Sequence, residues 1–331
     1  MSDPLRKTVF MPLRRLLLAA LLMLAGTPVL AQETPGETVP RGGLTVLLEW
    51  FVNPDHAPLV VAEALGYFDE VGLTVELIPP SDPSAPPRLI AAKQAEIAVH
   101  YQPNLYLDHA AELPLKSFGT LIATPLNTVT VLADGEIQSL ADLAGKRIGY
   151  SVSGFEDAMI ARMLESVGVG TEDIEMINVN FALTTSLLTG QVDATVGGFR
   201  NFELTQMRLA GAEGRSFFPE EHGVPAYDEL IYITHDDLVA DDRLPRFLAA
   251  VEKATLYLTN HPDEAWALYA KAYPDLDDEL NRQAWIDTLP RFAKRPAALD
   301  RGRYERFGAF MAEAGLIDAA PPVDEIAVEL N

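Results

Sequence analysis

The sequence predicts a mixed α/β protein of two lobes joined by a hinge of two crossing strands. Three observations carry that prediction. Residues 44–78 read as strand, loop, helix and strand, which is a βαβ unit. Residues 147–179 repeat the same grammar. Finally, LIAAKQAEIAVHYQPNLYLDHA from Leu89 and SLLTGQVDATVGGFRNFELTQM from Ser186 align at an offset of 97, pairing Gln94 with Gln191, Glu96 with Asp193 and Val99 with Val196. Each copy ends a strand in an aromatic loop, with Tyr101 in one and Phe199 in the other. Two copies of one design imply a cleft between halves related by a pseudo-twofold.

In chain order, LTVLL at 44–48 is an aliphatic and β-branched run of strand length. Asn53-Pro54 breaks it, and Asp55 is placed to cap a helix that carries Pro58 in its first turn and ends at Gly66. LTVELI at 73–78 is the next strand. Open α/β sheets bind ligands at the carboxyl ends of their strands, so the loop from Trp50 to His56 reads as one wall of a small-molecule cleft. LIATPLNTVTVL at 121–132 is too strand-like for a linker, and LIYIT at 230–234 returns the chain. The lobes are therefore expected to be discontinuous, residues 43–127 plus 231–331 forming one and residues 128–230 the other. Within the second, RIGY at 147–150 is a strand, SVSG a tight loop, and residues 155–167 a helix with apolar positions at Met159, Ile160, Met163, Leu164 and Val167. Ser153 and Glu156 fit a capping box there. Ser151, Ser153 and Gly154 also face a helix N-terminus, which makes Ser153 a candidate ligand contact. After a strand at 174–179, helices at 244–260, 263–272, 279–292 and 301–314, separated by prolines, are expected to complete the first lobe.

Composition sets the outer bounds. Arg6, Lys7, Arg14 and Arg15 precede LLLAALLML and then Val29-Leu30-Ala31, the pattern of a secretory signal peptide at residues 1–31, with a flexible leader at 32–42. The arginine pair fits Sec or twin-arginine export. About 300 residues then remain, enough for two lobes with their own cores. The net charge of −23 argues against nucleic acid and anionic lipid as partners. With no cysteine the chain forms no disulfide and carries no lipid anchor on that residue. An exported monomer is expected.

The segments WFVNPDHAPLVVAEALGYF, LADLAGKRIGYSVSG, LLTGQVDATVGG and GVPAYDELIYIT together resemble the periplasmic solute-binding proteins that deliver thiamine-pyrimidine precursors to ABC transporters. That family shares ancestry with the yeast-type hydroxymethylpyrimidine phosphate synthase. The resemblance spans residues 43–262 and implies a type II periplasmic-binding fold closing over N-formyl-4-amino-5-aminomethyl-2-methylpyrimidine, with a membrane permease as partner and no cofactor. It implies aromatic plates and one acidic side chain against the ring, and the matching positions are Trp50, Asn53, Tyr101, Phe199 and Glu203. Where members tend to have tyrosine before the acidic residue this chain has Phe199, which keeps a stack and loses a hydroxyl.

From the residues alone each position has a second reading. Trp50 and Tyr101 also suit a core, Asn53 suits turn chemistry before Pro54, and Glu203 suits the first turn of any helix. Among other functions on the same fold, the synthase uses a cysteine-rich iron-binding motif and a consumed histidine; this chain has no cysteine. No phosphate loop, HExxH pair or G-x-S-x-G elbow occurs. Riboflavin or an alkanesulfonate are the alternative ligands. For the latter, Arg200 and the serine loop are the available donors.

Overall fold

The computed structural model describes residues 42–330. The export segment and all but the last residue of the leader lie outside them. Two five-stranded sheets organise the chain. The first is built from β1 (Gly42–Leu47), β2 (Leu73–Ile78), β3 (Ile97–Tyr101) and β4 (Leu115–Ile122), the second from β5 (Asn127–Leu132), β6 (Arg147–Tyr150), β7 (Glu175–Asn178), β8 (Ala194–Phe199) and β9 (Gly214–Phe217). The last strand, β10 (Leu230–His235), returns to the first sheet.

The sheet orders are β2-β1-β3-β10-β4 and β7-β6-β8-β5-β9. In each, four strands run the same way and the strand in fourth place, β10 or β5, runs antiparallel to both its neighbours. The two sheets therefore share one topology, with β5 in the second lobe standing where β10 stands in the first. Each of these two strands enters from the opposite lobe, so the chain crosses between lobes twice. The run 121–132, read as one strand-like crossing, is in fact the end of β4, a turn holding Pro125, and all of β5. Proline cannot continue a ladder, so the strand divides there. Glu229 ties the two crossings together: its buried carboxylate accepts from the Leu126 and Asn127 N–H groups at 2.5 and 2.9 Å.

The repeat is visible in side chains as well as in topology. Glu96, just ahead of β3, accepts from the Thr45 N–H of β1 at 2.9 Å. Asp193, just ahead of β8, accepts from the Arg147 N–H of β6, also at 2.9 Å. In each lobe an acidic residue thus locks the third strand to the first.

Four long helices follow β10, Arg243–Asn260, Pro262–Ala272, Glu279–Thr288 and Arg301–Glu313, with a single helical turn at Val323–Ile326 after them. The first of them buries Phe247 against Phe68, the rings stacked at 5.6 Å. The fourth serves both lobes, since Phe307 lies 5.7 Å from Tyr106 and 5.8 Å from Phe155. The tail therefore does more than complete the first lobe. Among the described residues no helix is long and apolar enough to cross a membrane.

Two local expectations change. Asn53, not Asp55, caps the first helical turn, accepting from the Asp55 N–H at 2.8 Å, and His56 Nδ1 accepts from the Asn53 N–H in return. That turn is a 3-10 turn, Pro54–His56, leading into the helix Ala57–Ala64. In the second lobe the helix Phe155–Glu165 is capped through Gly154, whose N–H donates to Asp157 at 2.9 Å. The capping box is displaced by one residue from Ser153 and Glu156, because Gly154 at φ +103 turns the chain so that Glu156 points back under the loop.

Candidate functional site

The carboxyl ends of β1, β3, β6 and β8 converge on one cleft between the lobes, with about 480 Å³ of empty space. Trp50, Asn53, Asp55 and Tyr101 line it from the first lobe; Ser151, Glu156, Phe199 and Glu203 are among those that line it from the second. This is where a parallel α/β sheet exposes the N–H-rich and loop-rich edge that binding sites use. Tyr101 closes β3, and Phe199 closes β8, with ring centroids 6.4 Å apart and planes at 81°. At the mouth, Trp50 meets Phe181 edge-on at 4.6 Å while the half-exposed Phe51 meets the same ring at 4.4 Å. Aromatic side chains from both lobes thus touch across the opening.

A bulge shapes the second wall. Pairing of β8 with β5 slips between Val196 and Gly198, leaving Gly197 as an extra residue at φ +100. A bulge re-aims the strand end, and here it also clears space. A Cβ at position 197 would collide with the Glu156 carboxylate, and one at 198 would lie 3.0 Å from Glu203 Cγ. The two glycines therefore leave room for two carboxyl groups.

Among the described residues, three carboxyl groups line the cleft, and no lysine or arginine does so. Asp55 is buried and accepts from Asn201 Nδ2 at 2.7 Å and Thr288 Oγ1 at 2.9 Å, a contact joining both lobes and the helix Glu279–Thr288. Burial lifts its carboxyl to about 6, against the opposing pull of His56 and Thr288. Glu156 accepts from the Ser151 and Val152 N–H groups at 3.0 and 3.2 Å. Burial lifts it to about 8, more than those two donors offset. Glu203, the first residue of the helix Glu203–Leu209, accepts from the Phe199 N–H at 2.5 Å and is also raised to about 8, by withdrawal from solvent. Beneath the first wall, His56 Nε2 lies 3.0 Å from a Glu49 carboxylate oxygen. Burial disfavours the imidazolium, but Glu49 and Asp55 outweigh it, and His56 sits above its ordinary value.

Of the residues singled out in the sequence, Trp50, Asn53, Tyr101, Phe199 and Glu203 come together in this cleft. Ser153 does not line it; its side chain is exposed, its carbonyl accepts from Asn104, and Ser151 and Val152 take the wall position instead. Arg200 is directed elsewhere, paired with Glu220 at 2.6 Å and placed over the Phe218 ring. Asp55, Glu156, Leu183 and Phe202 are lining residues that sequence reasoning missed or assigned to capping. The available signal for Glu156 was its place among buried neighbours, between Phe155 and Ala158-Met159, where a carboxylate needs a reason to be. Among the described residues no group of three or more histidine, cysteine, aspartate or glutamate side chains is arranged to hold a metal ion.

Two lobes of matching topology, hinged by two crossings around a lined cleft, define the class as the periplasmic-binding fold. The alkanesulfonate-binding protein of Xanthomonas axonopodis pv. citri, solved with MOPS, superposes at a TM-score of 0.69 over 88% of this chain and 99% of that one; at 14% identity the likeness is one of fold. The chain belongs to the NMT1/THI5-like family, whose model matches residues 53–265. A Haemophilus influenzae protein named for thiamine biosynthesis is 50% identical, covering 87% of this chain and 92% of that protein. The formylaminopyrimidine-binding protein of Halalkalibacterium halodurans is 34% identical over 75% of each chain. A 4-amino-5-hydroxymethyl-2-methylpyrimidine phosphate synthase of Legionella pneumophila stands at 26%, over 84% of this chain and 88% of that protein.

Proposed function

We propose that the protein captures a thiamine pyrimidine precursor, N-formyl-4-amino-5-aminomethyl-2-methylpyrimidine or a close analogue, in the periplasm and hands it to an ABC importer, without catalysis. The observation that carries this reading is Glu203 in an aromatic-walled cleft lined by no basic side chain. A carboxyl group raised to about 8 holds its proton at neutrality. It then donates to a ring nitrogen and accepts from the adjacent exocyclic amine, the two-bond edge that an aminopyrimidine offers. Because Tyr101 and Phe199 stand nearly perpendicular, a flat ring that stacks on one meets the edge of the other, which favours a small heterocycle held in one orientation. Asn53, at the opposite wall, holds its Oδ1 on the Asp55 N–H and donates from Nδ2 to the Phe51 carbonyl at 3.0 Å, which leaves its second amide hydrogen for a polar contact. Closure of the lobes, through Trp50, Phe51 and Phe181 at the mouth and Asn201 with Asp55 behind it, buries the ring and gives the permease a closed shape to read.

The acidic lining weighs against an alkanesulfonate, since Arg200 is committed to Glu220 and the sulfonate would meet three carboxyl groups. A tryptophan-fluorescence titration with the formylaminopyrimidine, riboflavin and taurine in parallel tests the reading. Trp50 lies in the cleft and supplies the signal. Saturation at micromolar concentration by the pyrimidine alone is expected; saturation by riboflavin or taurine instead would overturn the ligand assignment.

A further inference from the structure

The cleft holds one carboxyl group more than ring recognition needs. Asp55 is accounted for by Asn201 and Thr288, and Glu203 by the ring edge. Glu156 is neither. Its Oε2 accepts two backbone N–H groups, while its Oε1 packs into the space beside Gly197 that a side chain there would take, at the cleft wall. Every titratable group that faces it is acidic or phenolic: Asp157 on its own helix, Glu229 at the crossing, Tyr101 from β3. Among the described residues that line the cleft with it, none is a lysine, arginine or histidine. A neutral glutamine would accept the same two backbone bonds without the cost of burying an unpaired ionisable group. Local structure therefore explains an acceptor at position 156 but not an acid.

We infer that Glu156 is a second recognition carboxylate, reading the nitrogen of the 5-aminomethyl substituent while Glu203 reads the ring edge, so that the cleft favours a ligand bearing an N–H or ammonium group at that position. This rests on the pyrimidine reading above and makes it more specific: the primary amine binds best, the formylated amine less well, the hydroxymethyl compound least. The proton balance follows from the raised carboxyl. In the empty cleft Glu156 is protonated at neutral pH. An arriving ammonium group ionises it, and one proton leaves to solvent, whereas a hydroxymethyl ligand displaces none there.

Isothermal calorimetry at pH 7 in two buffers of different ionisation enthalpy tests this, using 4-amino-5-aminomethyl-2-methylpyrimidine, its N-formyl derivative and 4-amino-5-hydroxymethyl-2-methylpyrimidine. The unaltered protein is expected to bind the amine about tenfold or more tighter than the hydroxymethyl compound, in keeping with one charge-assisted hydrogen bond. It should release about one more proton with the amine. Glu156→Gln should erase both differences by bringing the amine down to the affinity and proton release of the hydroxymethyl compound, and Glu203→Gln should weaken all three ligands together. Equal affinity of amine and hydroxymethyl compound for the unaltered protein, or a preference that survives Glu156→Gln, overturns the inference and leaves the pyrimidine reading standing. Failure of all three to bind the unaltered protein overturns both. Should Glu156→Gln not fold, equal proton release with amine and hydroxymethyl ligand in the unaltered protein is itself decisive against the role of Glu156.

Discussion

The third strands of the two lobes, β3 and β8, begin alike and end differently. At their starts, Glu96 and Asp193 make the same bond to the neighbouring strand. At their ends, β3 runs straight into the helix Gln102–Ala110, with Tyr101 buried and in regular register opposite Leu230. β8 instead takes on the extra residue Gly197, so that Val99 matches Val196 at an offset of 97 but Tyr101 stands opposite its partner strand as Phe199 does, one residue later. The bulge opens a loop before the helix Glu203–Leu209 and brings Glu156 and Glu203 to the cleft. The difference teaches that the amino ends of these strands carry the shared scaffold, whereas the carboxyl end of one has been rebuilt for recognition. The first wall carries Trp50, Tyr101 and one tied acid, Asp55; the second adds Phe199 and the acids Glu156 and Glu203.

The sharpest way to break this contrast is Gly197→Ala. The added Cβ meets the Glu156 carboxylate and the backbone is held at φ +100, so a loss of about 1–3 kcal/mol in stability is expected, with ligand binding falling below detection by calorimetry. Glu203→Gln comes next: exchanging the acid hydroxyl for a weaker amide donor should weaken the pyrimidine by about 1 kcal/mol, roughly fivefold, with the melting temperature of the ligand-free protein unchanged or higher. A pH titration probes the acid-bearing wall without mutation. Asp55, Glu229, Glu156 and Glu203 all sit above the ordinary carboxyl range, at about 6, 7, 8 and 8. Groups raised on folding stabilise below their unfolded pKa and lose that contribution as pH climbs through the folded one. Denaturant unfolding of the ligand-free protein should therefore show stability declining from about pH 4 to about pH 8, with a shallower slope in Glu156→Gln. The smallest effect belongs to the shared scaffold. Glu96→Ala and Asp193→Ala should each cost about 1 kcal/mol of stability and leave the ligand dissociation constant as it was; a change in affinity from either would blur the division between scaffold and site.

Much of the scaffold was legible in the chain because it rests on patterns of fixed period. β2 and β6 were read to the residue, since β2 is bounded by Gly72 and Pro79, and β6 lies between the Gly145-Lys146 turn and the small-residue loop Ser151 to Gly154. The pseudo-repeat was legible because the locking acids and the apolar strand positions keep their spacing. The aromatic half of the site was legible for a related reason: Tyr101 and Phe199 close their strands and Trp50 follows one, and strand ends in such sheets face the cleft. The acidic half was not. Glu156 and Asp55 sit at helix starts, where an acid is ordinary, and only the fold shows that both are buried, Asp55 beside His56 and Glu156 on two backbone N–H groups. Ser153 misled for the converse reason. A one-residue shift of the cap turns its side chain to solvent and Glu156 inward, and no sequence period distinguishes the two.

The central claim is that the rebuilt end of β8 reads an aminopyrimidine edge, and a crystal structure of the protein with bound N-formyl-4-amino-5-aminomethyl-2-methylpyrimidine tests it most directly. The account predicts the ring within the cleft, stacked on an aromatic face, with its exocyclic amine and adjacent ring nitrogen on Glu203 and its aminomethyl nitrogen toward Glu156. A ring whose amine edge turns to Asn53 and the first wall, with Glu203 left out of contact, would contradict it.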